Sequence, residues 1–246
     1  MPVIDELKRE LYNGDGPYLS ARLKYVDLGY PHTNIRPELI ESVLRTLHPG
    51  FWLEIGSMLG GSAIRTAETI KRMSLPTEVV CIDPFCGDVN MWAWEKGLAA
   101  QGQWRFLRVE DCRPTIYERF LANILRSGHS DIILPLTMTS TVGIKLLRRL
   151  VAEQRLSALP EVVYLDSAHE PDETLLELLL AWDLLPPGGV LMGDDWDWDT
   201  VRNDVRKFGN HIRANEATLR GLAAQHADAS IENNVLLYRG QWLLAK

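Results

Sequence analysis

Short apolar runs alternate with amphipathic stretches along most of this chain, and the alternation predicts a series of strands and helices. Runs rich in Val, Leu and Ile predict strands at 51–55, 78–83, 131–136, 161–166 and 189–194. Apolar residues spaced by three and four predict helices at 37–47, 61–73, 114–127, 140–154 and 171–184. The order is therefore that of an α/β protein.

Strands that alternate with helices in this way form a parallel sheet with helices on both faces. The predicted fold is a doubly wound, mostly parallel, Rossmann-like sheet. The end of the chain departs from the alternation, because NNVLLYRG and QWLLAK are two short β runs joined at Arg239-Gly240-Gln241. They predict a C-terminal antiparallel hairpin.

Two segments do not fit this pattern. Residues 1–35 carry turn signals and little periodicity, which predicts a loosely structured N-terminal arm before a single domain at 36–246. Residues 87–113 are too long for a simple connection, and they contain Trp92, Trp94 and Trp104. We expect this stretch to act as a lid or substrate loop, although the tryptophans could equally fix it to the surface.

Composition narrows the class of partner. The chain has 246 residues, 46% of them hydrophobic, with a formal net charge of −7. A negative chain without a basic run argues against nucleic acid or an anionic membrane as the main partner and favours a small molecule. The sequence leaves open whether the chain forms a homo-oligomer.

Cysteine content and the apolar segments bear on location. Three cysteines without a paired C-x-x-C motif make a disulfide framework or a zinc ribbon improbable. No apolar stretch reaches the roughly 20 residues that span a bilayer, and MPVIDELKRE lacks the apolar core of a signal peptide. We expect a cytoplasmic protein.

Acidic residues follow two of the predicted strands. Asp166 and His169 lie in VVYLDSAH, and the adjacent Asp194 and Asp195 lie in GVLMGDDW. Carboxylates at neighbouring strand ends repel one another unless a proton or a cation neutralises them, and oxygen ligands suit Mg²⁺ or Mn²⁺. Taken singly, Asp195 could instead cap a helix and Asp166 could face water.

A glycine-rich turn, EIGSMLGGS, joins the first strand to the next helix. Gly56 and Gly60 permit a sharp turn and a close approach to a ligand. Asp83 ends the second strand, where it could accept hydrogen bonds from both hydroxyls of a ribose. Glu54 beside the turn would repel phosphates but tolerate a cofactor with a positive charge. The turn lacks the G-x-G-x-x-G spacing, so a nucleoside cofactor is favoured over a dinucleotide.

These motifs together resemble a known family. The turn E-I-G-S-x-x-G-G-S, Asp83, L-D-S-A-H and P-P-G-G-V-L-M-G-D-D look like class I S-adenosylmethionine-dependent methyltransferases, over about residues 35 to 240. The branch that looks most similar is the macrocin O-methyltransferase type, which modifies sugar hydroxyls in natural products. Relatives differ around the histidine and at the first position of the D-D pair.

The resemblance implies a role for each motif. It implies that the methionine side of the cofactor is lined by Glu54, Gly56, Ser57 and Ser62, with Gly60 in the same turn. It implies that Asp83 holds the ribose, that Thr139 and Ser140 lie near the adenine, and that Mg²⁺ is bound by Asp166, Asp194 and Asp195. Asp166 is also expected beside the cofactor, and His169 is expected to be the catalytic base.

The sequence leaves several functions open. The leading prediction is a Mg²⁺-dependent O-methyltransferase acting on a sugar or another small polyhydroxylated metabolite. Alternatives are a catechol or phenolic O-methyltransferase, a nicotinamide-dependent oxidoreductase, and a nucleoside-binding protein without catalysis. His169 could instead be a helix-entry residue. Trp196 and Trp198 could stack on an acceptor or anchor the next helix. Asp111 and Arg113 are weaker candidates.

Overall fold

The computed structural model describes residues 1–28, 33–93 and 107–246. The helices in these ranges are α1 Val3–Tyr12, α2 Pro37–Leu47, α3 Gly61–Arg72, α4 Val89–Ala93, α5 Ile116–Ser127, α6 Ser140–Ala152, α7 Glu173–Leu184, α8 Asp199–Gly209 and α9 Glu216–Ala223. The strands are β1 Phe51–Ile55, β2 Glu78–Asp83, β3 Val109–Glu110, β4 Arg113–Pro114, β5 Ile133–Thr137, β6 Val162–Leu165, β7 Val190–Gly193, β8 Ser230–Glu232, β9 Val235–Tyr238 and β10 Gln241–Ala245. None of these helices has the length and apolar character needed to cross a membrane.

The central sheet confirms the predicted α/β fold. Its strand order is β5-β2-β1-β6-β7-β10-β9-β8. The first five strands in this order pair in parallel, and the last three pair antiparallel. The predicted C-terminal hairpin is β9–β10, and β10 adds to the sheet beside β7. Helices α8 and α9 and strand β8 were not predicted.

Helices cover both faces of the sheet, because side chains alternate between the faces along each strand. Trp52 of β1 belongs to the apolar layer that includes buried residues of α2, α3, α5 and α9. Leu53 and Ile55 belong to the opposite layer, with residues of α1, α6, α7 and α8. A strand that is buried on both faces reads as a continuous apolar run, which is why these strands were recognisable in the sequence.

The N-terminal arm is more ordered than predicted. Helix α1 buries Ile4 and Leu7 almost completely, at 1% and 0% exposure. Further along the arm, the Tyr12 hydroxyl donates to the Pro135 carbonyl over 2.9 Å and the Tyr18 hydroxyl donates to the Ile133 carbonyl over 2.8 Å. Both carbonyls belong to β5, the strand at one edge of the sheet. The arm therefore covers an edge that would otherwise be open to pairing with another strand.

The long segment at 87–113 is described only in part. Helix α4 and the β3–β4 hairpin lie at its two ends. The Trp92 indole N–H donates to the Cys86 carbonyl over 2.8 Å, while the residue remains 42% exposed. Trp94 and Trp104 lie outside the described residues, so the lid or substrate loop stays a prediction.

Glu54 is an acidic residue in the middle of a buried strand. Its exposure is 0%, and the Ser62 hydroxyl of α3 donates to its Oε1 over 2.9 Å. Burial raises the pKa of Glu54 to about 7, although the hydroxyls of Ser57 and Ser62 oppose the shift. The hydrogen bond between Ser62 and Glu54 therefore connects α3 with β1.

Removing the tyrosine hydroxyls should weaken the arm. Each of Tyr12→Phe and Tyr18→Phe leaves a strand-edge carbonyl without its donor, and we expect each to lower the free energy of unfolding by about 1 kcal/mol. Urea denaturation measures this change. Tyr25→Phe is the matched control, because the Tyr25 hydroxyl donates to the exposed Glu110 carboxylate and not to a strand-edge carbonyl. Equal effects of all three substitutions would contradict the edge-covering role of the arm.

Glu54 should make stability depend on pH. The pKa of this carboxyl rises from the ordinary glutamate value of 4.5 to about 7 in the folded chain. The folded state therefore holds a proton that the unfolded chain releases in this window, and stability falls as pH rises through it. Glu54→Gln keeps an oxygen that can accept from Ser62, but it has no carboxyl group to titrate. The free energy of unfolding of the variant, relative to that of the native chain, should therefore rise by up to about 3 kcal/mol between about pH 5 and about pH 8.

Denaturation of both proteins at the two pH values measures the difference. Glu68→Gln on the exposed side of α3 is the control and should show no such trend. If the difference in the free energy of unfolding between Glu54→Gln and the native chain stayed constant over the same range, Glu54 would be ionised throughout and the prediction would be wrong.

Candidate active site

A cavity of about 490 Å³ opens at the carboxyl ends of the parallel strands. This is the edge where ligands bind in open α/β sheets. Of the predicted site residues, the cavity is lined by Gly56, Ser57, Ser62, Asp83, Thr139, Ser140, Asp166, His169, Asp194 and Asp195. Glu54 and Gly60 are not among its lining residues. Residues distant in sequence thus meet at one site.

The glycine turn lies directly against the end of β6. Gly56 has a φ of +85°, and a Cβ added there would stand 2.1 Å from the carbonyl oxygen of Asp166. Only glycine fits at this contact. Gly60 also has a positive φ, but its missing Cβ makes room for Ile124 and Phe120 of α5. Gly56 therefore shapes the cavity, whereas Gly60 serves the packing of the turn on a helix.

Asp83 holds the glycine turn in place. Its Oδ2 accepts hydrogen bonds from the backbone N–H groups of Ser57 and Met58 over 2.8 and 2.7 Å, and its Oδ1 accepts from Phe85 over 2.5 Å. Burial raises the pKa of this carboxyl, and the three N–H donors oppose the shift. An ionised carboxylate has about four lone-pair sites, so capacity remains for a ligand hydroxyl.

Thr139 and Ser140 open helix α6 at the rim of the same cavity. Thr139 is the N-cap, and its side chain accepts from the Val142 N–H over 3.4 Å. Behind them lies Glu177 of α7, which the sequence did not single out. The Ser167 hydroxyl donates to Glu177 Oε2 over 2.7 Å, and burial raises the pKa of Glu177. The carboxyl group of Glu177 therefore lines this part of the cavity.

The strand-end acids form a close group with the histidine. One potential ligand atom from each of Asp166, His169 and Asp195 lies within 4.8 Å of the others. Asp194, which was predicted as a ligand, is not in this group: its Oδ1 accepts from the Asp195 N–H over 2.9 Å. The Tyr164 hydroxyl lies 3.5 Å from one oxygen of Asp166 and from one of Asp194.

Burial disfavours the charged forms of two carboxyl groups at this site. Burial raises the pKa of Asp166 well above its usual range, and the charges of Asp195 and Asp194 add to the shift. Burial also raises the pKa of Asp194 to about 6, opposed by the Asp195 N–H. Asp195 has a φ of +60°, a conformation that Asp tolerates better than most residues. Such an arrangement favours either a proton or a cation among the carboxylates.

His169 stands between two carboxylates. Its Nε2 lies 2.8 Å from Asp195 Oδ2, and its Nδ1 lies 3.3 Å from Asp88 Oδ2. Trp198 packs on the ring with centroids 4.7 Å apart. Burial lowers the pKa of His169, but the two carboxylates outweigh it and raise the pKa to about 10. The imidazole therefore carries its proton at neutral pH until the charge of a carboxylate partner is neutralised.

The other candidate residues contact protein groups or lie away from the cavity. The Arg206 guanidinium lies over the Trp196 ring at 5.3 Å, and Trp198 packs on His169, so both tryptophans contact protein groups. Arg113 pairs with Glu118 over 2.7 Å, and Asp111 is exposed. Neither residue lines the cavity.

Asp88 is a second residue of the site, besides Glu177, that sequence reasoning missed. It follows Gly87 in a loop and belongs to no motif with a strand-end position. A second acid five residues beyond Asp83, on the same edge of the sheet, is the signal that could have identified it.

Two solved structures similar to this chain are described as O-methyltransferases. The chain is similar to a putative caffeoyl-CoA O-methyltransferase from Staphylococcus aureus, with 11% identity, a TM-score of 0.50, and coverage of 99% of this chain and 96% of that one. It is also similar to the O-methyltransferase TomG from Streptomyces achromogenes, with 17% identity, a TM-score of 0.48 and coverage of 98% and 94%. At these identities the similarity concerns the fold alone. No curated protein matches the chain.

The family comparison is more decisive. A family model described as a methyltransferase domain matches residues 53–196. The matched range begins in β1 and ends just after Asp195, so it includes the glycine turn, Asp83 and the acidic group with His169. The match covers more than half of the chain, which therefore belongs to this methyltransferase domain family.

Proposed function

We propose that the chain transfers a methyl group from S-adenosylmethionine to a hydroxyl of a small metabolite, with Mg²⁺ or Mn²⁺ bound at the acidic group. The observation that carries the proposal is one cavity that contains both the glycine turn with Asp83 and the group Asp166, His169 and Asp195. The family match favours methyl transfer over the oxidoreductase alternative.

The cavity suits a cofactor with positive charge. Asp83, Asp166, Asp194 and Glu177 all line it, and the pKa of each is raised by burial. Binding a cation beside such groups compensates charge that the protein leaves uncompensated. A sulfonium with an amino group meets this requirement better than a pyrophosphate, which the same carboxylates would repel.

The donor atoms also fit a hard cation. The carboxylates of Asp166 and Asp195 supply oxygen ligands of the kind that Mg²⁺ and Mn²⁺ accept, and a nitrogen of His169 lies within 4.8 Å of them. Bound there, the ion would lower the pKa of a coordinated hydroxyl and fix the position of its oxygen. Asp194 remains a proposed further ligand, beside Asp195 on the same strand end.

His169 supplies the proton acceptor in this proposal. With its two neighbouring carboxylates free, the ring holds a proton, as its pKa of about 10 indicates. Neutralising Asp195 removes one of the two charges that stabilise the imidazolium, so the pKa of His169 should fall toward the working range of a general base. The remaining residues position the reactants, and positioning can supply several kcal/mol of the barrier.

The acceptor is proposed from the resemblance to the macrocin O-methyltransferase branch. We propose a sugar or another polyhydroxylated natural product, because a diol presents adjacent oxygens to the acidic group. A catechol presents a similar pair of oxygens. Relative activity on diol sugars and on catechols is therefore the measurement that separates these acceptor classes.

The glycine turn provides the test of the cofactor. Isothermal titration of the native chain should show binding of S-adenosylhomocysteine and none of NAD. Gly56→Ala places its Cβ 2.1 Å from the Asp166 carbonyl oxygen, and we expect affinity to fall at least about tenfold, which is 1.4 kcal/mol. Gly14→Ala is the matched control, since its φ is +87° and its Cβ would meet nothing within 4 Å.

Both glycine variants carry the strain of a left-handed alanine, so only the contact at Gly56 distinguishes them. Equal affinity of the two variants for S-adenosylhomocysteine would contradict a role of the glycine turn in binding the cofactor. Binding of NAD by the native chain would instead refute the cofactor class.

Asp195→Asn tests the role of the cation. It removes a charged ligand, so Mg²⁺-supported turnover should fall by more than about 100-fold, beyond the 10–100-fold that a supporting partner alone contributes. S-adenosylhomocysteine affinity should change by less than about threefold, or 0.7 kcal/mol. Asp199→Asn, at an exposed acid paired with Arg202, is the control. Native turnover that is the same in EDTA and in Mg²⁺ would refute the metal role.

A further inference from the structure

Glu177 of α7 is a buried acid in the wall of the cavity. It is 6% exposed, and it lines the cavity together with Ser140 and Ser167. The Ser167 hydroxyl donates to its Oε2 over 2.7 Å, and the Ser140 hydroxyl is a second donor to the same carboxyl. Ser140 follows β5 and Ser167 follows β6, so Glu177 bridges the loops after these two strands.

Two hydroxyl donors do not fill the acceptor capacity of Glu177. An ionised carboxylate has about four lone-pair sites and no proton to donate, so a ligand group that meets it has to donate a hydrogen bond. The hydroxyls of Thr139, Ser140 and Thr141 line the cavity nearby, but a hydroxyl donates or accepts as required. Glu173 also lines the cavity and is exposed to water. Among the residues that the structure describes here, Glu177 is therefore the buried group that distinguishes a donor from an acceptor.

The order of the strands indicates which part of the cofactor reaches Glu177. Asp83, the proposed ribose ligand, ends β2, which lies between β5 and β1 in the sheet. The acidic group proposed to hold the acceptor hydroxyl follows β6 and β7, on the β1 side of β2. With the sulfonium placed beside that group, the base extends from the ribose toward the loop after β5. Ser140 begins the helix after this loop, and Leu176 beside Glu177 offers the base an apolar contact.

We propose that Glu177 selects adenine as the base of the cofactor by accepting a hydrogen bond from its 6-amino group. The inference rests on the proposed use of S-adenosylmethionine and deepens it. A base with an oxygen at position 6, such as hypoxanthine, turns a lone pair toward the carboxylate and is disfavoured. A base without the amino group leaves a buried acceptor without its donor, which also weakens binding.

The competing role for Glu177 is structural. Its contacts with Ser140 and Ser167 hold two loops together, and that role needs an oxygen acceptor but no particular base. Glu177→Gln distinguishes the two roles. Its amide oxygen still accepts from a serine hydroxyl, whereas its amide nitrogen donates a hydrogen bond and so accommodates a 6-oxo group.

The test measures the affinity of the native chain and of Glu177→Gln for three ligands by isothermal titration. They are S-adenosylhomocysteine, S-inosylhomocysteine with its 6-oxo group, and the purine analogue in which hydrogen replaces the amino group. The native chain should prefer S-adenosylhomocysteine over each analogue by at least about tenfold, because a hydrogen bond to a charged group is lost. In Glu177→Gln the preference over S-inosylhomocysteine should fall to about threefold or less. Asp183→Asn, at an exposed acid of the same helix outside the cavity, is the control and should keep the native preference.

The preference is a ratio within each protein, so a general loss of affinity does not change it. A purely structural role would weaken the binding of all three ligands to Glu177→Gln by the same factor, and that result would overturn the proposal. Equal affinity of the native chain for S-adenosylhomocysteine and the purine analogue would overturn it without any variant. If Glu177→Gln did not fold, Glu177→Asp, which keeps the charge on a shorter side chain, is the second variant, and an unchanged preference there would also overturn the proposal.

These outcomes are separate from those that test the proposed function. If the chain bound S-adenosylhomocysteine but transferred no methyl group to any acceptor, the proposed function would fail, and the three affinities would still decide the role of Glu177. If methyl transfer occurred and the preference for adenine did not depend on Glu177, only this inference would fail.

Discussion

Parallel strands that are neighbours in a sheet end at the same edge, and in this chain that constraint gathers carboxylates that would otherwise stay apart. Asp166 follows β6 and Asp194 follows β7, the strand paired beside it. Burial and mutual repulsion raise the pKa of both. The fold therefore holds charge that is unfavourable by itself, and a ligand that neutralises it gains binding energy from the same source.

The glycine turn depends on this edge as well. Gly56 packs on the carbonyl of Asp166 with no room for a Cβ, so the loop after β1 and the acid after β6 form one wall. Asp83 fixes the other side of the turn through two backbone N–H groups. Movement of any one strand end would thus disturb both the proposed cofactor site and the acidic group.

The sequence predicted the parallel strands closely, because strands buried on both faces read as uninterrupted apolar runs. The strands β1 and β2 begin and end where they were predicted. Helix α1 was missed because its short amphipathic pattern lies beside strong turn signals, and only packing on the sheet stabilises it. Helices α8 and α9 were missed because they follow the last recognised motif, where strands and helices no longer alternate along the chain.

The candidate site was predictable where a residue stood at a strand end. Asp83, Asp166, Asp194 and Asp195 were found in this way. Asp88 and Glu177 were not, since a loop position and a helix face give no sign in the sequence of where their side chains point. The same limit applies to the contacts of His169. Its spacing from Asp166 was visible in the sequence, but the carboxylates that face its two nitrogens, Asp88 and Asp195, come from different parts of the chain.

The most direct test of the account is whether a cation and the donor methyl group occupy the cavity together. Mn²⁺ titrated into the protein saturated with S-adenosylmethionine, labelled with carbon-13 at the transferred methyl group, should broaden that methyl signal strongly. The broadening should be lost in the double variant Asp166→Asn Asp195→Asn. Tight binding of Mn²⁺ without any broadening of the bound methyl signal would place the ion elsewhere and contradict the account.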